Sequence, residues 1–541
     1  MTNPVVNVNA QQQVAPQPSA LQKSGALVSC GGTITSQGTY SLLTQLADLT
    51  PLLVGAAAIT SLAWSGGVVT ATTTAPHGLV TGTNVTIAGA APAGYNGTFP
   101  VTVTGASTFT YALAANPGAE TAPGTWVPEQ VASLTQRATT FFGQGSTQAV
   151  WVLELGYGPA STCVSFLSTW ITANPGIFYS YLVPRFWDAV SQYLTFLAGF
   201  EAVTSKTYFY TTTTLATYKA YTAQMKCVQA LIEAPAYGVW PANALTAISW
   251  SGGVVTASTT TNHGVLPGQW FQIAGCTPTG YNGWFQALLG TTGTTILYAL
   301  ATNPGAESVL GTLVQSQFAS AGVPATEFSC AAPFWATLNS KPSSTNKVPP
   351  LNNRFLSGVT PFPTQGNAAL LATLNAANIN VVGTGSAGGI SEATLIGGNM
   401  MDGKPWNYWY AVDWVQVNAQ LNLNAYVING ANSTINPVDY DQDGINGGQQ
   451  NITSTMSTGI SAGLVLNPIK QTQLGAQAYQ AALDAGTYRG YTVVNADPFA
   501  SYTEENPSDY ANGVYNGYAI TFTPLRGFAS ITINITASNF A

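Results

Sequence analysis

AITSLAWSGGVVTATTTAPHG occupies residues 58–78 and ALTAISWSGGVVTASTTTNHG residues 244–264; laid over each other, they place Trp64 on Trp250 and His77 on His263. The match runs on: IAGAAPAGYNGTF (87–99) faces IAGCTPTGYNGWF (273–285), and YALAANPGAE (111–120) faces YALATNPGAE (298–307) after a single inserted residue. We set the two copies at 58–127 and 244–314. Alternation at Val68, Thr70 and Thr72, and at Val85 and Ile87, broken by Gly-Gly, Pro-His-Gly and Tyr-Asn-Gly, predicts short strands joined by tight turns. Each copy therefore reads as a small all-β barrel or sandwich.

His77 and His263 are the only histidines in the chain. A catalytic histidine needs an acid or a nucleophile beside it, yet no Asp, Glu, Lys or Arg occurs between 58 and 119. Both are read as turn residues, which tolerate unusual backbone geometry and bond nearby main chain.

Charged residues make up only 6% of the 541 residues, against about 25% in ordinary soluble domains. With 13 Lys+Arg and a net charge of -7 there is no cationic stripe for a phosphate backbone, which argues against nucleic acid as a partner. No apolar run reaches the roughly 18 residues of a membrane span. The opening MTNPVVNVNAQQQVAPQPSALQ lacks the basic start and apolar stretch of a secretory signal, so folding in a cytoplasm is expected. Five scattered cysteines (Cys30, Cys163, Cys227, Cys276, Cys330) form no framework and read as free, buried thiols. No cofactor is expected.

Removing the two copies joins segments that otherwise look interrupted, so both are read as insertions in loops of a host, where added length costs little. The domains are then 1–57 (arm and start of host), 58–127, 128–243 (host), 244–314 and 315–541 (host continued, with a terminal strand). In the host, WVLELGYG (151–158) reads as a buried strand and STCVSFLSTWITANP (161–175) as a helix with a Ser or Thr cap. IFYSYLVP (177–184) is a further apolar run, RFWDAVSQYLTFLAGF (185–200) a helix and TYFYT (207–211) a strand. Alternating strand and helix means α/β. Tyr410, Trp414, Val417 and Leu421 mark one face of a long helix ending at Asn429-Gly430. KQTQLGAQAYQAALDAG (470–486) reads as another helix, followed by strand-like YTVVNAD and YAITFTP.

Three motifs suggest chemistry. Gly383, Gly385 and Gly388 imitate a dinucleotide fingerprint, but Gly-Gly and Asp-Gly break the stretch that should open a helix. Asp439, Asp441 and Asp443, with Gly444, match the first positions of a calcium loop. Gln450 stands where the bidentate Glu belongs, so calcium is the minor reading and a solvated turn the major one. Asp402 and Asp413 are a nominal carboxylate pair for glycoside hydrolysis.

Four host stretches, KPSSTNKVPPLNNRFLSGVTP (341–361), INVVGTGSAGGISEATLIGGNMMDGKPWNYWYAVDWVQ (379–416), YDQDGIN (440–446) and NPSDYANGVYNGYAITFTPLRGFASITINIT (506–536), resemble contractile-phage tail sheath proteins. The repeated module is similar to a β unit that decorates phage virion proteins. The resemblance implies sheath-type α/β (α+β) host domains and a non-enzymatic structural protein of the virion tail, assembled in the bacterial host cytoplasm. It further implies a homo-oligomer of stacked, hexameric rings around a tail tube protein, with baseplate and tail terminator proteins as partners. The rivals are a glycan-binding adhesin of the tail and a polysaccharide-degrading tail enzyme.

The chain ends point to assembly independently. VVNVNA (5–10) and SITINIT (530–536) alternate, putting Val6 and Val8 with the neighbouring Val5 at one end, and Ile531, Ile533 and Ile535 at the other, as candidates for strand exchange between subunits.

Overall fold

The computed structural model describes residues 21–145, 148–215, 217–221, 225–233, 243–261, 263, 265, 267, 270–314, 327–340, 342, 346–362, 368–384 and 392–526. The protein is mixed α/β. Its central sheet runs Tyr40–Leu43, Val150–Glu154, Gly25–Ser29, Ser180–Leu182, Tyr208–Thr213, Val228–Ile232, Asn380–Thr384, Ala393–Ile396. The inner strands are parallel and the two edge strands antiparallel. Along the strand Gly25–Ser29, Leu27 joins a cluster with Leu134, Phe141 and Trp406, whereas Ala26 and Val28 join one with Leu167, Trp187 and Leu374. Helices thus cover both faces, which is why these strands read as unbroken apolar runs.

Two parallel strands are followed by β-rich chain before their crossover helices. After Gly25–Ser29, residues 57–128 form a seven-stranded antiparallel sheet that includes Ala57–Ser65, Val68–Thr73, Asn84–Ala88 and Thr108–Ala112. Its last strand, Thr125–Pro128, leads straight into the helix Glu129–Phe142. After Val228–Ile232, residues 243–314 form a six-stranded sheet of matching order. In both, the first strand carries a register shift at the same place, between Ile59 and Ser61 and between Leu245 and Ala247, where the strand turns from one neighbour to the next.

The helix Trp406–Ala431 buries Trp406, Tyr410, Trp414 and Val417, whereas Leu421, expected on the same buried face, is exposed. The helix Gln442–Ser461 packs against it. A three-stranded sheet then sets Ile469–Thr472 parallel and Tyr518–Thr521 antiparallel to a central Thr492–Ala496.

Several local expectations change. The helix expected from Arg185 begins at Ser191, after a 3-10 turn at Arg185–Trp187. The helix Ala160–Ala173 is preceded by Pro159, with no side-chain cap. Lys470 lies in a strand, and the helix there is Ala476–Asp484. The turn expected at 439–450 becomes helix from Gln442. Among the described residues, no helix is long and apolar enough to cross a membrane.

Candidate assembly site and buried polar centres

Val5, Val6, Val8, Ile531, Ile533 and Ile535 lie outside the described residues. The described chain reaches Arg526 through a segment in which Leu525 donates to the Leu464 carbonyl, and the Leu525 carbonyl accepts from Asn407 Nδ2 at 2.7 Å. Among the described residues, Ile469–Thr472 and Tyr518–Thr521 are the outer strands of their sheet, each paired on one side as a strand.

Asp441 is the N-cap of Gln442–Ser461, its carboxylate accepting from Gly444 N at 2.8 Å, and Asp443 sits in the first helical turn. Gln450 is therefore helical. Among the described residues, no group of three or more His, Cys, Asp or Glu side chains is placed to hold a metal ion. Gly383 lies in the strand Asn380–Thr384, antiparallel to Ala393–Ile396, while Gly385 and Gly388 fall outside the described residues.

Asp402 accepts from Lys404 N and from Trp409 Nε1 at 2.8 Å, whereas Asp413 is fully buried. Its Oδ2 accepts from Tyr208 OH at 2.7 Å and Tyr179 OH at 2.9 Å. Burial pushes the carboxyl up to about 6, opposed by the two tyrosines and the Lys226 and Lys206 charges. A group so enclosed cannot meet a polysaccharide, so this pair forms no hydrolytic centre.

Both histidines sit in equivalent turns. His77 Nδ1 accepts from Leu79 N at 3.0 Å, and His263 Nδ1 from Val265 N at 3.1 Å. Burial lowers the His263 pKa below its ordinary value. The other shared residues also have backbone tasks. Trp64 and Trp250 donate to the Leu113 and Leu300 carbonyls, and Asn96 and Asn282 bracket Ala90 and Cys276 through both amide atoms. All five cysteines are buried and unbridged.

Sequence reasoning missed two polar centres at the carboxyl ends of the parallel strands. In one, Arg185 forms a two-point ion pair with Glu233 (2.6 and 2.8 Å), donates to the Glu327 carbonyl at 2.7 Å, and lies over the Phe328 ring. Glu327 in turn accepts from Thr360 N, Thr360 Oγ1 and Ser329 Oγ. In the other, Glu154 collects five donors from the loops after two adjacent strands. The signal for both was a charged residue at or just past the end of an apolar strand, in a chain with few charges.

No protein-family profile matches the chain, and no curated protein matches it at a significant level.

Proposed function

We propose that the protein is a structural, self-assembling subunit of the contractile tail sheath type, with 58–127 and 244–314 inserted into two loops of a host α/β framework. One observation carries the reading: the C-terminal sheet has outer strands at both margins among the described residues, and its last strand, Tyr518–Thr521, stands nine positions before the alternating stretch at 530–536 that holds Ile531, Ile533 and Ile535. Such a tail can complete a neighbour's sheet, with main-chain bonds giving affinity and alternate side chains fixing register. The central sheet favours a scaffold role too, because the polar groups at its carboxyl ends are engaged with one another.

The loop positions agree with insertion. Glu233 and Glu327, the nearest described residues flanking the second β region, meet at Arg185, so the host is closed without it. For the first region, Val54 donates to the Gly32 carbonyl, and Gly32 lies against Gln130 just after the chain returns.

Removal of residues 530–541 tests the proposal. An added strand contributes several main-chain bonds of roughly 0.5–1.5 kcal/mol each, lost at every contact of a lattice. The truncated chain is expected to keep its circular dichroism yet sediment as a monomer under conditions where the full chain assembles. Unchanged assembly, or an unfolded truncated chain, would contradict it.

A further inference from the structure

Numbered along the chain, the six parallel strands lie in the order 2-1-3-4-5-6, so the winding reverses beside the strand Gly25–Ser29. In open α/β sheets, ligands bind outside the carboxyl ends of the strands at such a reversal. Here the reversal lies between Gly25–Ser29 and Ser180–Leu182; the loop Ser29–Thr33 borders it, and the turn Glu154–Gly156 closes on that loop from the strand on its other side. Their donors converge: Gly31 N (2.6 Å) and Gly156 N (2.7 Å) on Glu154 Oε1, and Ser29 Oγ (2.7 Å), Thr33 Oγ1 (2.7 Å) and Thr33 N (3.0 Å) on Oε2. The five donors are neutral dipoles, and Glu154 is buried. Gly31 has a φ of 84° and packs directly against the Tyr157 ring, so only glycine presents this N–H. Clustered backbone N–H groups of this kind make an anion-binding concavity.

We infer that the loop bordering the reversal is an oxyanion site whose ligand is the chain's own Glu154 carboxylate, tethered in place of a small free carboxylate or phosphate. Each of its two oxygens takes the place of a ligand oxygen; the direct donors are dipoles fixed by the fold, and the buried Arg137 guanidinium adds a favourable charge nearby. The tether also positions the first β region. Thr33 and Gly156 are held by one carboxylate, and between them they anchor the chain entering the region and the Tyr157–Pro159 segment on which it rests; Tyr157 packs against its core and Pro159 lies against Gly82. This inference is independent of the assembly proposal.

Glu154→Ala should empty the site while keeping its donors. The variant is expected to melt several degrees below the parent. About 100 mM formate should then raise its Tm by a few degrees, as a ligand bound only by the native state does. Chloride at equal ionic strength should leave it unchanged, and formate should leave the parent unchanged. Glu154→Gln fills the space but turns an amide NH2 toward the donors; it should be destabilised and not rescued. If Glu154→Ala yields no folded protein, refolding from urea in formate against chloride gives the same reading. Recovery in formate alone supports the site. Equal recovery in both salts, none in either, or equal rescue of Glu154→Gln overturns it.

Discussion

The two β regions share their pattern down to single carbonyls, yet they are held differently. The first has the half-buried Tyr157 packed against its core and Pro159 against its Gly82, and it continues from Thr125–Pro128 into the helix Glu129–Phe142 without a break. The described core of the second contains only its own residues, and its nearest described flanks meet at a single arginine. The second also replaces the strand Thr102–Gly105 with a loop that leaves Leu289 88% exposed. Under the proposed insertion, one sequence pattern thus meets the α/β framework in two ways: the first region packs against Tyr157 and Pro159, while the described core of the second is made of its own residues. The difference lies in the framework residues beside each region, not in the repeat.

Deletion should break this symmetry most strongly. Replacing 244–314 with a short Gly-Ser linker is expected to change host stability by about 1 kcal/mol, the scale of altered loop closure. Replacing 58–127 strips the packing around Tyr157 and the start of Glu129–Phe142, and is expected to cost about 3–5 kcal/mol, comparable to losing a buried aromatic. Urea unfolding of both variants measures the difference. Equal costs, or the reverse order, would mean that the contacts of Tyr157 and Pro159 are incidental.

pH sharpens the comparison further, because host and second region should respond with opposite sign. Asp413 has a folded pKa of about 6, above its ordinary value, so the native host holds a proton that the unfolded chain has already released. The contribution of Asp413 to stability should therefore be full below about pH 4 and fall on the order of 3 kcal/mol as pH rises through about 6. Asp413→Asn should flatten that slope, provided the tyrosine donors keep an acceptor. His263 is pulled below its ordinary value, so the unfolded chain takes up the proton first on acidification. Stability of the second region should be intact above about pH 6.5 and decline below it, and His263→Asn should remove the decline. Differential scanning calorimetry between pH 4 and 8 resolves the two slopes. A shared slope, or one untouched by either substitution, would contradict the assignment.

The β regions were readable because their determinants are local: alternation, paired glycines, and the Tyr-Asn-Gly turn recur twice within the chain. The apolar strands at 151–154, 180–182 and 208–211 were readable too, since burial on both faces leaves no polar alternation. Strand order was not, because it is set by crossovers that carry no residue signature. Nor were the polar centres: Glu154 meets Ser29 across 125 positions, and Asp413 meets Tyr208 across 205. At 439–450 the likeness to a calcium loop misled. The stretch read as a turn, but it is helix from Gln442, and a Cβ at Gly447 would overlap the Tyr426 hydroxyl and one at Gly448 the Tyr518 hydroxyl, so these glycines admit those rings against the helix. Asp441, three residues before Gly444, was the readable sign of its start. The strand-exchange residues at the two chain ends lie outside the described residues and stand on alternation alone.

The claim that this framework exists to assemble is tested most directly by electron microscopy of the purified full-length chain. The account predicts hollow tubes or stacked rings, assembled without any other protein. Discrete spikes would favour the glycan-binding rival, and release of sugar from envelope polysaccharide the enzymatic one; either result, or a chain that stays monomeric at every concentration, would contradict it.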